Sequence, residues 1–581
     1  MTPTPQHPAT PASDPPEVDP TIVESDDDDG EQNPFVPMQR WAVMGVLIFG
    51  TLYMLCVVVV GLFNATEVGI SMMWVALSSA WLIFWTFYPF VNFKADYGWC
   101  HPLIIGALVG IANLLVRSTT LFMNGLSDHI MLADKWPSEL NMIFAYGNFI
   151  TSLALIATYA GFGLGPRLPV PRLNATPAAS VRTYLVLIVF LAISVGAFLL
   201  YIQLYGGLAS CLKSLAFGMV KKIELADDVD GLGPYAVTTK MATVVAVVWV
   251  CAQSHAFRSP VFWVLGTTAL AMSYLSEGKR SGIIFPAILI MLCWMLRNRQ
   301  VPYVRLALLG VVAFLLLGFL AVFRSSNWSD TQHLNFNILQ ETSISDAATS
   351  AQSELVARSG SSSSYFAILA KVPMEEKLLW GKTYLEWGLR FLPREFWPDK
   401  PRGVDVQANL TFYGGDWGMP AGAVGEAYWN FHIPGVLFVF FVVGVFKRWL
   451  ADLLIRHPEA PGVMAIYMIT LFYFEPSQNG FRLWLYAIVP AVIMIRLGGL
   501  IRGRKRVERS FAPRIRSLWI EVMPGMFESR TVETGIENKQ FVEILSGLKE
   551  GELVITSGAY LLNSEFILKQ GANASMGGMK M

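Results

Sequence analysis

Tyr184-Leu185-Val186-Leu187-Ile188-Val189-Phe190-Leu191-Ala192-Ile193-Ser194-Val195-Gly196-Ala197-Phe198-Leu199-Leu200-Tyr201 contains no charged residue. It forms the centre of an apolar block over 183–205, and a helix needs about 20 such residues to cross roughly 30 Å of hydrocarbon. Eleven more blocks read the same way, near 41–63, 69–91, 103–123, 141–165, 236–252, 261–276, 281–296, 302–323, 434–452, 461–478 and 481–501. Several are short, and the pair 261–276 and 281–296 also reads as one re-entrant hairpin. Over its 581 residues the chain is 54% hydrophobic and 15% charged, against about 25% charged in soluble domains. The expected fold is an all-α polytopic membrane protein of about twelve transmembrane helices, with a large extracytoplasmic loop and a small β-rich C-terminal segment.

The zero net charge hides a separation of signs. Asp26, Asp27, Asp28 and Asp29 close a Pro-rich head over 1–37 that cannot bury a core. That head does not read as a signal peptide, because it is acidic and has no apolar stretch. Arg502, Arg504, Lys505, Arg506 and Arg509 follow the last apolar block, in a basic linker over 502–517. With the N-terminus in the cytoplasm, the cytoplasmic connections hold Arg167, Arg172 and Arg182, then Arg297, Arg299 and Arg305, then Lys447, Arg448 and Arg456. This is the positive-inside pattern. Lys213, Lys221 and Lys222 go against it, although Glu224, Asp227, Asp228 and Asp230 accompany them. The five cysteines form no CxxC pair, so neither a disulfide framework nor a zinc site is expected.

The resulting division is helices one to nine over 38–323, an extracytoplasmic loop over 324–433, helices ten to twelve over 434–501, and a β-rich segment over 518–581. The loop carries Trp, Tyr and Phe throughout, with turn signals at Pro393, Pro398 and Pro401. A loop of that length and composition is expected to fold against the outer helix ends and to carry function.

Charged residues beside membrane helices are costly and therefore informative. They gather on the expected outer side: Arg117, Lys279, Arg280, Arg324, Arg390, Arg394, Lys400, Arg402, Glu475 and Arg482. An arginine fork grips phosphate oxygens with two bonds, though any single one also reads as a side chain snorkelling to headgroups. Glu426 and His432 are the obvious proton acceptors in the stretch entering the tenth helix. A glutamate there also reads as a helix cap.

Three motifs carry a resemblance: Gly278-Lys279-Arg280-Ser281-Gly282, Leu392-Pro393-Arg394-Glu395-Phe396-Trp397-Pro398-Asp399-Lys400-Pro401 and Gly425-Glu426-Ala427-Tyr428-Trp429-Asn430-Phe431. With the late outer loop, they resemble the Wzy-type oligosaccharide repeat-unit (O-antigen) polymerases over about 38–500. The resemblance implies a metal-independent glycosyltransferase without cofactor, multi-pass in the bacterial inner membrane, with both termini cytoplasmic. It would polymerise polyprenyl-diphosphate-linked oligosaccharide repeats into a surface polysaccharide, in membrane lipid, with a chain-length regulator as a further partner and no nucleic acid. Arg280, Arg324, Arg394, Lys400 and Arg482 would hold the diphosphate, Glu426 would be the first catalytic base, and His432 the second. A ligase reading and a flippase or transporter of lipid-linked glycans stand beside it. A purely structural membrane protein fits poorly with an Arg- and Trp-rich loop.

The tail alternates strands and turns: 518–522, 530–535, 541–545 and 553–556, then Gly558-Ala559-Tyr560-Leu561-Leu562-Asn563-Ser564-Glu565. It resembles the C-terminal domain of RND-type periplasmic efflux adaptors. A cytoplasmic tail would have no adaptor partner, so a fusion is the favoured explanation over a working module. Met576, Met579 and Met581 read as a disordered end, with soft-metal binding as the alternative.

Overall fold

A computed structural model describes residues 34–94, 97–124, 137–208, 210–211, 232–277, 281–326, 338–359, 363–387, 401–415, 418–502, 514–537, 542–555, 559, 562 and 564. The chain divides into Met1–Arg502 and Gly503–Met581. The first unit is helical. Its helices are α1 (Arg40–Val68), α2 (Ile70–Val91), α3 (Pro102–Asn124), α4 (Pro137–Leu164), α5 (Val181–Leu204), α6 (Leu232–Thr239), α7 (Met241–Ala252), α8 (Pro260–Glu277), α9 (Ser281–Asn298) and α10 (Tyr303–Ser326). The short helices α11 (Ile338–Glu341), α12 (Ile344–Ser359), α13 (Ser363–Lys371), α14 (Lys382–Trp387) and α15 (Val404–Tyr413) come next. Then follow α16 (Gly422–Arg456), α17 (Pro461–Tyr473) and α18 (Gln478–Leu497).

Each apolar block of the sequence carries a helix. Eight of the described helices are long and apolar enough to cross a membrane, and four shorter ones are also apolar. Their outward faces are apolar as well: Leu185, Ile188, Val189 and Leu199 on α5, and Val304, Leu308, Val311 and Val312 on α10, are all exposed. An apolar exterior over long helices fits a membrane protein, because lipid solvates such side chains. The buried centre is α7, apolar all round and enclosed by α5, α8, α9, α17 and α18. Phe35 and Val36, assigned above to the acidic head, are instead buried in this core, and the Trp99 N–H donates to Val36 O at 2.9 Å.

Helix α16 passes both cores. Its first half packs with α2, α4, α13 and α15, and its second half joins the core around α7. It begins at Gly422, well before the apolar block at 434, so Glu426 and His432 lie within the helix and not ahead of it. Against α4 the approach is close. A Cβ on Gly161 would fall onto the Phe441 carbonyl oxygen, and one on Gly444 onto the Thr158 carbonyl oxygen. Small residues at such crossings let helix backbones meet.

At the far end of α4, Arg448 donates to Phe162 O and Gly163 O at 3.2 and 3.3 Å, and beyond the helix Arg456 donates to Val170 O at 2.5 Å. Cations on the last carbonyls of a helix satisfy groups the helix itself leaves open. A two-stranded pair, β1 (Asn174–Ala175) with β2 (Ile501–Arg502), closes this end.

The second unit is a four-stranded antiparallel sheet in the order β5-β4-β3-β6, a β half-barrel. Its strands are β3 (Arg514–Met523), β4 (Met526–Glu537), β5 (Val542–Ser546) and β6 (Leu553–Val554). Gly525, with φ +78°, turns the β3–β4 hairpin. Alternation places Ile520, Val532 and Thr534 on the buried face.

Candidate functional site

The segment between α10 and α16 is not a spacer. Among its described parts, α13 packs on α4 and α16, α14 on α16 and α18, and α15 on α13 and α18. The reason begins inside α16. Phe431 (φ −140°) and His432 (φ +57°, ψ −151°) leave helical geometry, and Pro434 has no N–H to give the Asn430 carbonyl. The break frees the carbonyls of Trp429 and Asn430 in an apolar core, where unpaired backbone groups are costly. Leu379 N–H and Trp380 N–H fill both, each at 3.1 Å. Trp380 (φ +48°) and Gly381 (φ +83°) then turn the chain into α14.

That docking brings α14 against the first turns of α16 and α18, where a buried polar network forms. Glu426 is fully buried. Its Oε1 accepts from Trp387 Nε1 at 3.1 Å, its Oε2 accepts from the Gln478 N–H at 2.8 Å, and Thr383 is a further partner of the carboxylate. Gln478 in turn donates from Nε2 to Glu386 at 3.1 Å and accepts from the Val404 N–H at 2.8 Å. Asn430 donates to Thr383 Oγ1 and to the Glu426 carbonyl, both at 2.8 Å.

Carboxylates cross-cap two helices here. Glu426, from α16, takes the first N–H of α18, and Glu475, just before α18, takes the Ala423 N–H at the start of α16 at 3.3 Å. Negative charge at helix N-termini is favourable, and each contact satisfies an orphan donor. Tyr384, on α14, stacks edge-on against Trp387 and parallel to Phe431. Burial pushes its hydroxyl well above the usual range, and the neighbouring Glu426 charge pushes it further.

A second network runs the other way from α16. His432 Nε2 lies 2.7 Å from Tyr428 Oη, which lies 3.1 Å from Tyr146 Oη on α4. The two sequence-derived proton acceptors therefore have different partners: Glu426 bonds α14 and α18, and His432 bonds Tyr428, which in turn reaches α4. Glu426 has its oxygens engaged, whereas His432 is half-buried beside a hydroxyl chain.

Of the cations assigned to a diphosphate, Arg482 is described. It is exposed in the first turn of α18, donating to Asn479 Oδ1 at 2.6 Å. Arg402 is exposed just before α15. Arg324 lies in the last turn of α10, its side chain outside the description, and Lys279, Arg280, Arg390, Arg394 and Lys400 lie outside the described residues. So do Met576, Met579 and Met581. Among the described residues, no group of three His, Cys, Asp or Glu side chains is placed to hold a metal ion.

Glu386, Gln478, Thr383 and Trp387 were not foreseen. Tyr428 and His432, four apart on one helix, carried a readable signal. Gln478 did not, since only the fold brings it to Glu426.

In comparisons with known proteins, residues 520–563 match the CzcB C-terminal circularly permuted SH3-like domain. This agrees with the adaptor-like reading of the tail. No curated protein and no solved structure matches the chain.

Proposed function

We propose that the helical unit is a Wzy-type glycan polymerase of twelve spans, made of the eight long apolar helices and the four shorter ones. It joins polyprenyl-diphosphate-linked oligosaccharides on the outer face of a bacterial inner membrane. The observation that supports this reading is the docked stretch 379–387, pinned by buried polar bonds onto α16, which is itself bonded to the start of α18. A fixed platform at one end of an apolar bundle suits a reaction whose substrates have lipid tails and polar heads.

In the proposed reaction a sugar hydroxyl of the incoming unit attacks the anomeric carbon of the growing chain. The carbon–oxygen bond to the diphosphate breaks, the polyprenyl diphosphate leaves, and the hydroxyl proton passes to a base. His432 is better suited to that proton than Glu426, whose carboxylate already accepts from Trp387 and Gln478. Fixed positive charge stabilises a diphosphate leaving group, the role proposed for Arg280, Arg394 and Lys400, with Arg324 and Arg482. The tail is read as a separate adaptor-like module appended to the polymerase.

The test is surface-glycan length in cells carrying His432→Ala or Arg394→Ala, with protein level checked. Single repeats in place of long chains support the proposal. Loss of all surface glycan points to a ligase or flippase, and unchanged length removes both residues from the site.

A further inference from the structure

The proposed reaction leaves a cavity unused. Between the first turns of α2 and α4 and the last turn of α13 lies an open cleft of about 500 Å³. That lies within the roughly 300–1,000 Å³ of small-molecule sites.

Its walls differ in chemistry. Trp74 is 51% exposed and stacks on no other ring among the described residues. Ile70 on α2 and Met142 and Ile143 on α4 add apolar lining. The lining also holds Ser138 and Glu139, both exposed at the start of α4, and Glu139 has no ion-pair partner among the described residues. Ser71, also on the lining, is buried, and buried Asn141 donates to its oxygen at 3.0 Å; the Ser71 hydroxyl donates to no acceptor among the described residues and can serve a guest.

We infer that this cleft binds a short oligosaccharide, with Trp74 stacking on a sugar ring and Glu139, Ser71 and Ser138 bonding its hydroxyls. The alternatives fit the walls less well. A phosphate would meet Glu139 and no cation on the lining. A hydrocarbon tail would strip water from a carboxylate and two hydroxyls without replacing their hydrogen bonds. A saccharide answers both faces, since its C–H surface is apolar and its edge is a ring of donors and acceptors. Its identification with the incoming repeat unit rests on the polymerase reading, whereas saccharide binding itself rests on the cleft.

The experiment measures binding of the full-length protein in detergent micelles to an array of defined di- to tetrasaccharides, for wild type, Trp74→Ala and Glu139→Gln. The expected result is wild-type binding that weakens about tenfold in Trp74→Ala, the worth of one lost apolar platform, and also falls in Glu139→Gln. Because Trp74 is half exposed, the variant keeps its melting behaviour, which circular dichroism checks. No saccharide binding by wild type, or equal binding by all three proteins, overturns the inference and reduces Trp74 to an interfacial anchor. Binding lost in the variants upholds the cleft even where chain length in cells denies the polymerase.

Discussion

Glu426→Gln separates a helix cap from a catalytic base. The carboxylate accepts from Trp387 Nε1 at 3.1 Å and from the Gln478 N–H at 2.8 Å, on different oxygens. A glutamine of the same shape offers one acceptor oxygen, so its NH2 must face one of those donors. The loss is one charge-assisted hydrogen bond, about 1.5–3 kcal/mol, together with a buried donor left unpaired, about 1–3 kcal/mol. A conservative total of about 3 kcal/mol is a large share of the roughly 5–15 kcal/mol by which proteins are stable. If half of that loss falls on the unfolding barrier, unfolding speeds up about tenfold, at about 1.4 kcal/mol per factor of ten. The assay is the half-life of folded protein in micelles at a fixed elevated temperature, followed by tryptophan fluorescence, with glycan length measured in parallel cells. Glu426→Ala, which removes every bond and leaves a void, should be shorter-lived still. A Glu426→Gln protein with wild-type half-life and no long glycan would refute the cap and return the residue to the role of base.

Three other outcomes follow from the geometry. Gly161→Ala and Gly444→Ala each drive a methyl into a facing carbonyl and should cost about 1–3 kcal/mol; Gly163→Ala, with nothing within 4 Å of its Cβ, should keep the wild-type half-life, and equal losses in all three would sink the close-crossing argument. His432→Gly removes the 2.7 Å bond to Tyr428 but relieves a φ/ψ pair suited to glycine, worth about 1–3 kcal/mol. Half-life should therefore hold or rise while glycan length falls, and a shorter half-life with normal glycan would reverse the reasoning. In the β unit, the Lys549 N–H and then Arg530 hold Glu552 below the usual carboxylate range. Its contribution is present at neutral pH and is lost as the pH falls through that lowered value. Hydrogen exchange of β3 and β4 amides in the full chain should show a small acid loss of protection that Glu552→Gln abolishes.

Hydropathy located the helices because lipid and core both select apolar side chains, so each block of the sequence bears one. It missed the start of α16, since Glu426 and Asn430 interrupt the apolar run although both are buried. The β strands were legible by alternation, and the structure extends the first from 518 back to Arg514 and the second from 530 back to Met526. A hairpin register pairs residues whose own pattern is weak, such as Arg514 with Thr534. The site was only half legible. Glu426 and His432 stood out as proton acceptors, and Tyr428, the partner of His432, is close in sequence, but the Glu426 partners Gln478 and Trp387 are distant. That both Glu426 oxygens are engaged depends on those two partners, which no local pattern encodes.

The break in α16 also has a mechanical consequence. Pro434 forbids the helix from straightening by restoring its own ladder, so the carbonyls of Trp429 and Asn430 depend on Leu379 and Trp380 for their bonds. Lifting the 379–387 segment away would leave both carbonyls without those partners, at about 1–3 kcal/mol each while they stay buried. The upper half of α16 and α14 therefore behave as one stiff lever. Any opening of this end of the bundle must carry both together, with the flexing confined to His432.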